Sequence, residues 1–297
     1  MAARAVLAVH PGAGRGRAAR IAGTVAARLR ACVGRLDRLV THDPAEFRTA
    51  MSARAGELDV LVVIGGDGTV HEAVQYCAGT PTAVGLIPTG NGNDLARGLG
   101  LPLDPLAAAD VVVAALRTGR RRRIDLGRAG DTWFTTVLCA GFDANVSARA
   151  HRMTWPRGPR RYDLAVLAEL ASWRAKPLRI RYGTERLDLD ATLVAVGNTA
   201  CYGGGIPVCP RARPDDGLFD VTVVREASRR ELLRMLPSLR SGRHIGRPFV
   251  HTFRTGEIHL SGNDWVTGAD GEPMGGLPIS ARCVPGALTM LALPPGE

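Results

Sequence analysis

Residues 60–72 have the sequence VLVVIGGDGTVHE, and the predicted fold is built outward from this stretch. It opens with five consecutive aliphatic residues, four of them β-branched, which is typical of a strand buried on both faces of a parallel sheet. Three glycines and Asp67 follow, and Thr69 and Glu72 then have the spacing of a helix start with Thr69 as the cap. The stretch therefore predicts a strand, a glycine-rich turn and a helix in immediate succession.

A turn of this kind is suited to binding phosphate. Glycines between a strand and a helix let backbone N–H groups approach a phosphate, and the helix dipole favours its negative charge. Asp67 in the turn suits a Mg²⁺ ion or a reacting hydroxyl. The alternative is an ordinary strand-to-helix turn with a cap, but three glycines beside one acid favour the phosphate site.

A second loop of the same kind follows closely. Residues 83–87, AVGLI, form another short apolar run, and residues 88–97, PTGNGNDLAR, follow it. Open α/β folds bind ligands at the carboxyl edge of the sheet. We therefore expect the two glycine-rich loops to face each other across that edge.

Together, GGDGTVHE and PTGNGNDLAR resemble the diacylglycerol-kinase-like lipid kinases, which include bacterial diacylglycerol kinases and sphingosine and ceramide kinases. GGDG alone is less specific, because NAD kinases and phosphofructokinases share its general form. Later motifs strengthen the resemblance: RRRRIDLG at 120–127, GFDA at 141–144, YGGG at 202–205 and DDGLFDV at 215–221. The resemblance covers nearly the whole chain.

The resemblance implies an ATP-dependent and Mg²⁺-dependent kinase. It would transfer the γ-phosphoryl group to the hydroxyl of diacylglycerol or a related lipid, giving phosphatidic acid or an equivalent lipid phosphate. The implied catalytic residues are Asp67, which would organise Mg²⁺ and phosphates, and Glu272, which would act as general base. Without the resemblance, Asp270-Gly271-Glu272 predicts only a hairpin turn.

The resemblance also implies a set of ATP-binding residues. Arg15 occupies the position of a family lysine, where arginine can hold phosphate as a fork; the alternative is a solvated loop arginine. Asn91 and His71 differ from the residues common in the family, as does His10. The implied ATP-binding set is Arg15, Thr41, Gly65, Gly66, Asp67, Gly68, Thr69, Glu72, Gly90, Asn91, Asn93 and Asp94.

A structural Mg²⁺ site is implied near the DDG motif. By resemblance Asp216 is the side-chain ligand, with backbone carbonyls of Arg213 and Leu218, and Asp125 joins through water. Oxygen-only ligation suits Mg²⁺. Without the resemblance, Asp-Asp-Gly would indicate a turn and Asp125 a salt-bridge partner.

The order of elements predicts two domains. Alternating strands and helices indicate a doubly wound α/β domain over residues 1–127, and strands without helices between them indicate an antiparallel β-sandwich over 128–297, whose last strand could return to the first domain. The predicted helices are 17–33, 44–55, 104–118, 147–173 and 228–240. The predicted strands are 4–10, 36–41, 60–64, 83–87, 133–140, 178–182, 186–196, 218–224, 249–253, 257–260, 279–283 and 287–293.

Composition restricts the class of protein. Of 297 residues, 45% are hydrophobic and 22% charged, as in a folded globular protein. No run of eighteen apolar residues and no signal-like segment is present, so we expect a cytoplasmic protein, peripheral at the inner membrane face. The six cysteines form no CxxC pair and are expected to be reduced and buried.

The net charge of +10 suits anionic partners. Besides the lipid substrate at the membrane surface, anionic lipid head groups are candidates, whereas no nucleic-acid-binding motif is present. Arginines at 120–123 and at 157, 160 and 161 are the main clusters; the alternative is that they merely cover solvated faces. A homodimer, formed through an exposed sandwich edge, is a further prediction.

Three other functions compete with the lipid kinase. An NAD-kinase-like enzyme shares GGDG, although the second loop and the later motifs count against it. A non-catalytic nucleotide or lipid sensor would have lost acidic site residues, whereas Asp67, Asp125, Asp216 and Glu272 are all present. A membrane-surface binding module would be indifferent to ATP and sensitive to salt.

Overall fold

The structure, a computed structural model, describes residues 3–54, 56–142, 144–146, 149, 153, 164–165, 168–169 and 174–292. The chain divides into two compact units. Unit 1 comprises Met1–Leu126, Pro214–Gly217 and Val284–Glu297, and unit 2 comprises Gly127–Arg213 and Leu218–Cys283. Two segments from late in the sequence therefore belong to unit 1.

Unit 1 is an α/β layer structure around a parallel sheet. Its strands are β1 (Arg4–Val9), β2 (Arg35–Val40), β3 (Val60–Gly65) and β4 (Ala83–Pro88). Its helices are α1 (Ala13–Arg30), α2 (Pro44–Ser52), α3 (Asp67–Cys77), α4 (Asp94–Gly98) and α5 (Pro105–Thr118).

The sheet of unit 1 has the strand order β2-β1-β3-β4, with all neighbours parallel. Beyond β4, Thr289 and Met290 add a further parallel strand segment. All residues of β3 and β4 are buried, as expected for strands covered by helices on both faces. The doubly wound α/β class is thereby confirmed.

Local sequence signals account for three of the helix ends in unit 1. Asp43 caps α2 and Asp104 caps α5, each through its side chain, and a proline follows each cap. Gly119 ends α5 in the left-handed conformation at φ +69°, which favours glycine.

The predicted cap of α3 is wrong. The helix begins at Asp67 with Gly66 as N-cap, and no side chain caps it. Thr69 therefore lies inside the first turn, where its side chain occupies the space a Cβ on Gly65 would need. The helix can start at Asp67 because the extended backbone of Gly66 turns the chain directly out of β3. The first N–H groups of α3 therefore have no side-chain cap.

Unit 2 consists mainly of antiparallel strands. The strands that lie wholly in this unit are β6 (Thr132–Phe134), β7 (Val137–Gly141), β8 (Lys176–Tyr182), β9 (Glu185–Gly197), β10 (Phe219–Arg225), β11 (Val250–Thr255), β12 (Glu257–Ser261), β13 (Val266–Ala269) and β14 (Glu272–Gly276). The end of β5 (Arg122–Ala129) and the beginning of β15 (Ile279–Met290) also belong to it. The helix α6 (Arg229–Leu239) and a 3₁₀ helix (Arg243–Gly246) lie between β10 and β11.

Strand pairing in unit 2 runs β14-β13-β7-β9-β8-β12-β15, with β10 and β11 branching from β9, and every pair is antiparallel. Apolar side chains inside include Phe134 and Phe219, whose rings stack at 5.7 Å between centroids. The expected antiparallel sandwich class is confirmed.

Beyond residue 132, two strand predictions are wrong and one hairpin was not predicted. The single strand expected over 133–140 is two strands, because Thr135 and Thr136 turn their backbone N–H groups to the carboxylate of Asp270. The two strands expected over 279–293 are one continuous strand, β15. The hairpin of β13 and β14 was not predicted as strands, because both are short and five of their nine residues are Gly, Ala or Pro.

Some predictions fall on residues outside those described. These are Asp143 of GFDA, nearly all of the helix expected over 147–173, and Arg157, Arg160 and Arg161. Among the described residues, no helix is both long and apolar enough to cross a membrane.

All six cysteines are free thiols, and four of them are buried. Burial raises the pKa of Cys77 and of Cys209 to about 12, because a thiolate loses its hydration there. Cys32 and Cys201 are only half-buried.

We expect alkylation at pH 8 to modify Cys32 and Cys201 first and to leave Cys77 and Cys209 unmodified in the folded protein, since only about one in ten thousand of their thiols would be ionised. Mass spectrometry of peptides after timed iodoacetamide treatment, with a urea-unfolded control, measures this. Equal labelling of all six cysteines in the folded protein would contradict it.

Candidate active site

Three loops of unit 1 leave the sheet at the same edge. Strands β1, β3 and β4 end at Val9, Gly65 and Pro88, and the pairing Val9↔Ile64 and Gly65↔Pro88 sets these ends level. The loops that follow contain residues 10–16, 66–69 and 89–93. The structure therefore brings the two predicted glycine-rich loops and the first loop together at the carboxyl edge.

The loops approach so closely that side chains are excluded at several positions. A Cβ on Gly90 would lie 2.7 Å from the Cα of Gly66. A Cβ on Gly14 would clash with the carbonyl oxygen of Thr89, and Gly14 also has φ +60°. Glycine at these positions is thus required by backbone-to-backbone contact.

Asp67 connects the two glycine-rich loops. Its carboxylate accepts the backbone N–H of Asn93 at 2.8 Å and that of Asp94 at 2.7 Å. A Cβ on Gly92 would lie 2.5 Å from Oδ2 of Asp67, so this loop can wrap the carboxylate only with glycine there. The motif predicts a role for Asp67 with Mg²⁺ and phosphate, but it does not predict that Asp67 also holds the second loop in place.

Two buried polar atoms of the second loop have no hydrogen-bond partner among the described residues. They are the Thr89 hydroxyl and the Oδ1 of Asn93. Asn93 itself is left-handed at φ +53° and donates from Nδ2 to the carbonyl of Gly90 at 2.8 Å. Buried polar atoms are nearly always satisfied in proteins, so these two indicate a polar ligand. Thr89 is not among the predicted site residues, although its place inside the PTGNGND motif was a usable signal.

The first loop has an unusual backbone. Gly14, Arg15 and Gly16 are all left-handed, so the regular part of α1 starts after them. The Arg15 side chain is exposed, which leaves it accessible to an anionic ligand. At the start of this loop, Nδ1 of His10 lies 3.1 Å from the backbone carbonyl oxygen of Thr41. Thr41 is a buried residue.

Other predicted ATP-binding residues differ in setting. Gly68 and Asn91 are exposed, and Thr69 is half-buried in the first turn of α3. Glu72 forms an ion pair with Arg48 of α2 at 3.2 Å, which places its carboxylate on the α2 side of α3. Asp94 is buried at the start of α4. The three loops thus gather most, but not all, of the predicted set.

Asp125 is a second buried carboxylate of unit 1. It accepts the backbone N–H of Gly217 on Oδ2 and that of Gly286 on Oδ1, both at 2.7 Å, and its own N–H donates to the carbonyl of Pro214 at 2.7 Å. Only 4% of the residue is exposed. The family resemblance implies a water-mediated link from Asp125 to Mg²⁺, but these backbone contacts are not predictable from the motif.

The predicted structural metal site comprises Asp216, the backbone carbonyls of Arg213 and Leu218, and Asp125 through water, and it stays a prediction. Asp216 is half-buried and precedes Gly217, whose backbone N–H donates to Asp125. No cluster of three or more His, Cys, Asp or Glu side chains suited to a metal occurs in the part of the chain that the structure describes.

In unit 2, Asp270 and Glu272 of the DGE motif have opposite environments. Asp270 accepts the backbone N–H groups of Thr135 and Thr136 at 2.8 Å each, and both threonine hydroxyls as well. Asp270 and Gly271 are both left-handed, as a tight hairpin turn requires. Glu272 is exposed at the start of β14. The predicted hairpin turn is confirmed.

Comparison with known proteins agrees with this arrangement. A family model described as "Diacylglycerol kinase catalytic domain" matches residues 4–129, and one described as "YegS C-terminal NAD kinase beta sandwich-like domain" matches residues 136–292. A diacylglycerol kinase of Mycobacterium tuberculosis (strain H37Rv) is 41% identical over 290 residues, 95% of this chain and 93% of that protein.

The chain belongs to the diacylglycerol kinase family of lipid kinases.

Two further relatives of the family extend the comparison. A YegS-like lipid kinase of Chromohalobacter salexigens is 33% identical, over 84% of this chain and 81% of that protein. A crystal structure from Bacillus anthracis str. Sterne, assigned as a diacylglycerol kinase, matches with a TM-score of 0.82 at 24% identity and covers 99% of this chain and 96% of that chain. At that identity the structural match supports the family fold alone.

For the diacylglycerol-kinase-family loops, we expect Asp67→Asn to lower the free energy of unfolding of unit 1 by about 2–3 kcal/mol, because the new amide nitrogen would face a backbone N–H donor. Urea titration with hydrogen exchange of the β3 and β4 amides measures this. The control Asp110→Asn removes an exposed helix carboxylate and should change stability by less than about 0.5 kcal/mol. Equal effects of the two variants would contradict the bridging role.

In the DGE hairpin, we expect Asp270→Ala to destabilise unit 2 by about 3 kcal/mol or more, because four donors lose their acceptor. Glu272→Gln in the same hairpin is the matched control and should leave stability unchanged. The four tryptophans, Trp133, Trp155, Trp173 and Trp265, all fall in unit 2 of the sequence, so tryptophan fluorescence during urea unfolding reports on it. A smaller effect for Asp270→Ala than for Glu272→Gln would refute this assignment.

Proposed function

We propose that the protein is an ATP- and Mg²⁺-dependent kinase that transfers the γ-phosphoryl group to the hydroxyl of diacylglycerol or a related lipid. The product would be phosphatidic acid or an equivalent lipid phosphate. The family assignment supports a lipid kinase and ATP as phosphoryl donor. The name of the mycobacterial relative supports diacylglycerol as the first acceptor to test.

The single observation that carries the proposal is the bridge from Asp67 to the second glycine-rich loop. It fixes two glycine loops at one sheet edge, and the first amides of α3 lie there without a side-chain cap. Such amides and the helix dipole favour a phosphate. The unsatisfied Thr89 hydroxyl and Asn93 Oδ1 supply further polar contacts for a ligand.

The donor set fits Mg²⁺ in the form that kinases use. Mg²⁺ usually keeps several waters and takes one or two carboxylates together with substrate phosphates, so a cluster of three acids is not needed. Asp67 and Asp94, whose backbone N–H donates to Asp67, lie at the two glycine-rich loops and are the candidate carboxylates for this ion, whereas Asp125 and Asp216 stay the proposed acids of the structural site. When bound, the ion would neutralise charge on the transferring phosphates.

The reaction asks the protein to position groups and to accept one proton. The bond from the γ-phosphorus to the ADP oxygen breaks while a bond to the lipid hydroxyl oxygen forms. We assign Glu272 as the base that takes the hydroxyl proton. Its side chain is exposed and no described residue forms a hydrogen bond or an ion pair with it, so the carboxylate is available. Arg15 would hold phosphate oxygens.

The acceptor lipid would be taken from a membrane surface, so we propose a cytoplasmic protein that acts peripherally there. Anionic lipid head groups match the net charge of +10. A homodimer stays a prediction, to be measured by the molar mass in solution.

In a labelled-ATP transfer assay with Mg²⁺ and a panel of lipids in mixed micelles, we expect label in diacylglycerol or a related lipid. Glu272→Gln should lower kcat at least about a hundredfold, because the general base is removed, with ATP binding unchanged. Asp67→Asn should lower both ATP affinity and activity, because the second loop loosens.

The matched control for Glu272 is Glu185→Gln, which removes another exposed carboxylate at a strand start in unit 2 and should retain full activity. NAD is included in the panel as the rival acceptor. Formation of NADP, or full activity of Glu272→Gln on every lipid, would refute the proposal.

A further inference from the structure

The exposed face of α6 has an unusual composition. Arg229, Arg230 and Arg234 of the helix and its C-cap residue Arg240 are all exposed, as is Leu233, 47% of which is accessible. At about 100° per residue, Leu233 projects near the middle of this face. Two arginines lie on each side of it: Arg229 and Arg240 on one, Arg230 and Arg234 on the other. We call this surface the α6 face.

The opposite side of α6 is fixed in the core of unit 2. Leu232 and Met235 are buried there, within an apolar cluster that also holds Val224. A capping box formed by Ser228 and Glu231 sets the start of the helix. The α6 face is therefore held outward by packing and capping, and its outward orientation is not adjustable.

Positive charge continues beyond the helix. Arg243 and Arg247 follow and are also exposed. The only acid in residues 227–248 is Glu231. Its carboxylate accepts hydrogen bonds from the backbone and hydroxyl of Ser228, which hold the pKa of Glu231 below its usual value. Within the described chain, Arg229, Arg230 and Arg240 form no ion pair. Glu231 and the exposed Glu226 compensate only part of the charge of the six arginines, so the segment 226–248 keeps a net positive charge.

We propose that the α6 face docks the protein on the surface of an anionic membrane, with the arginines on lipid phosphates and Leu233 inserted among the acyl chains. The proposal deepens the proposed function, on which it rests, by naming the surface that brings the kinase to its lipid. The α6 face lies outside the three loops of unit 1 and outside the DGE hairpin.

The chemistry of the face favours a lipid surface over other anions. Helices that lie in the membrane interface combine an apolar centre with flanking arginines. Arginine forks pair with phosphate oxygens through two N–H groups. A nucleic acid backbone would match the arginines equally well, but it would leave Leu233 in water. Of these two anionic partners, only the bilayer accommodates both the arginines and Leu233.

The experiment measures flotation of the full chain with vesicles of phosphatidylcholine alone or with about 30% phosphatidylglycerol, at low and high salt. The α6 variant replaces four arginines by glutamine: Arg229→Gln, Arg230→Gln, Arg234→Gln and Arg240→Gln. The matched control removes four exposed arginines of unit 1: Arg20→Gln, Arg30→Gln, Arg38→Gln and Arg117→Gln. Leu233→Gln is tested alone.

Wild-type protein should float with anionic vesicles, and high salt should release it. The α6 variant should lose at least about a hundredfold in partition, since each interfacial arginine contributes about fivefold or more. Leu233→Gln should lose about tenfold. The unit 1 control should lose less than about fivefold in partition, although its net charge equals that of the α6 variant. Equal loss in the α6 variant and the control would overturn the proposal.

Two further readouts separate docking from catalysis. On a dispersed short-chain diacylglycerol, the α6 variant should keep the wild-type kcat, while on vesicle lipid its KM should rise. Unchanged tryptophan fluorescence and thermal midpoint exclude misfolding. If wild type floats through α6 but phosphorylates no lipid, docking stands and the proposed function fails. If duplex DNA, and not vesicles, loses affinity for the α6 variant, docking on membrane is overturned.

Discussion

The architecture of unit 1 depends on the buried carboxylate of Asp125. Its two oxygens accept amides from Gly217 and Gly286, residues 92 and 161 positions further along the chain. Arg123, two residues earlier, donates twice to the carbonyl of Gly286. A buried charge is tolerated only when hydrogen bonds replace its hydration, so Asp125 requires both late segments to be present. This explains why unit 1 is discontinuous in sequence.

Two other aspartates of the motifs also accept backbone N–H groups on both carboxylate oxygens. Asp67 uses both oxygens on the amides of the second glycine loop, and Asp270 uses both on the amides between β6 and β7. Each aspartate therefore anchors a turn that has no regular partner strand. Charge-assisted bonds to amides are strong and directional, which suits loops that must hold one backbone geometry. The acids that mark the family motifs are structural before they are chemical.

Local signals predicted what is local. The buried runs of β3 and β4, the Asp-Pro starts of α2 and α5, and Gly119 at the end of α5 follow from adjacent residues. The errors arose where a distant partner decides. The strand expected over 133–140 is broken by Asp270, 134 residues away from Thr136. The sequence located the candidate site through its motifs, but not the partners of Asp67 or Asp125, since no local pattern records a contact across the fold.

The contrast within DGE separates two roles that a motif combines. Asp270 is held by four donors, and any change at that residue alters the turn before it alters chemistry. Glu272 is exposed at the end of the same turn, so its carboxylate is accessible while the turn fixes its backbone. A general base must be both accessible and positioned. The two acids of the motif, one bound to backbone amides and one exposed, would together meet both requirements for the role that we propose for Glu272.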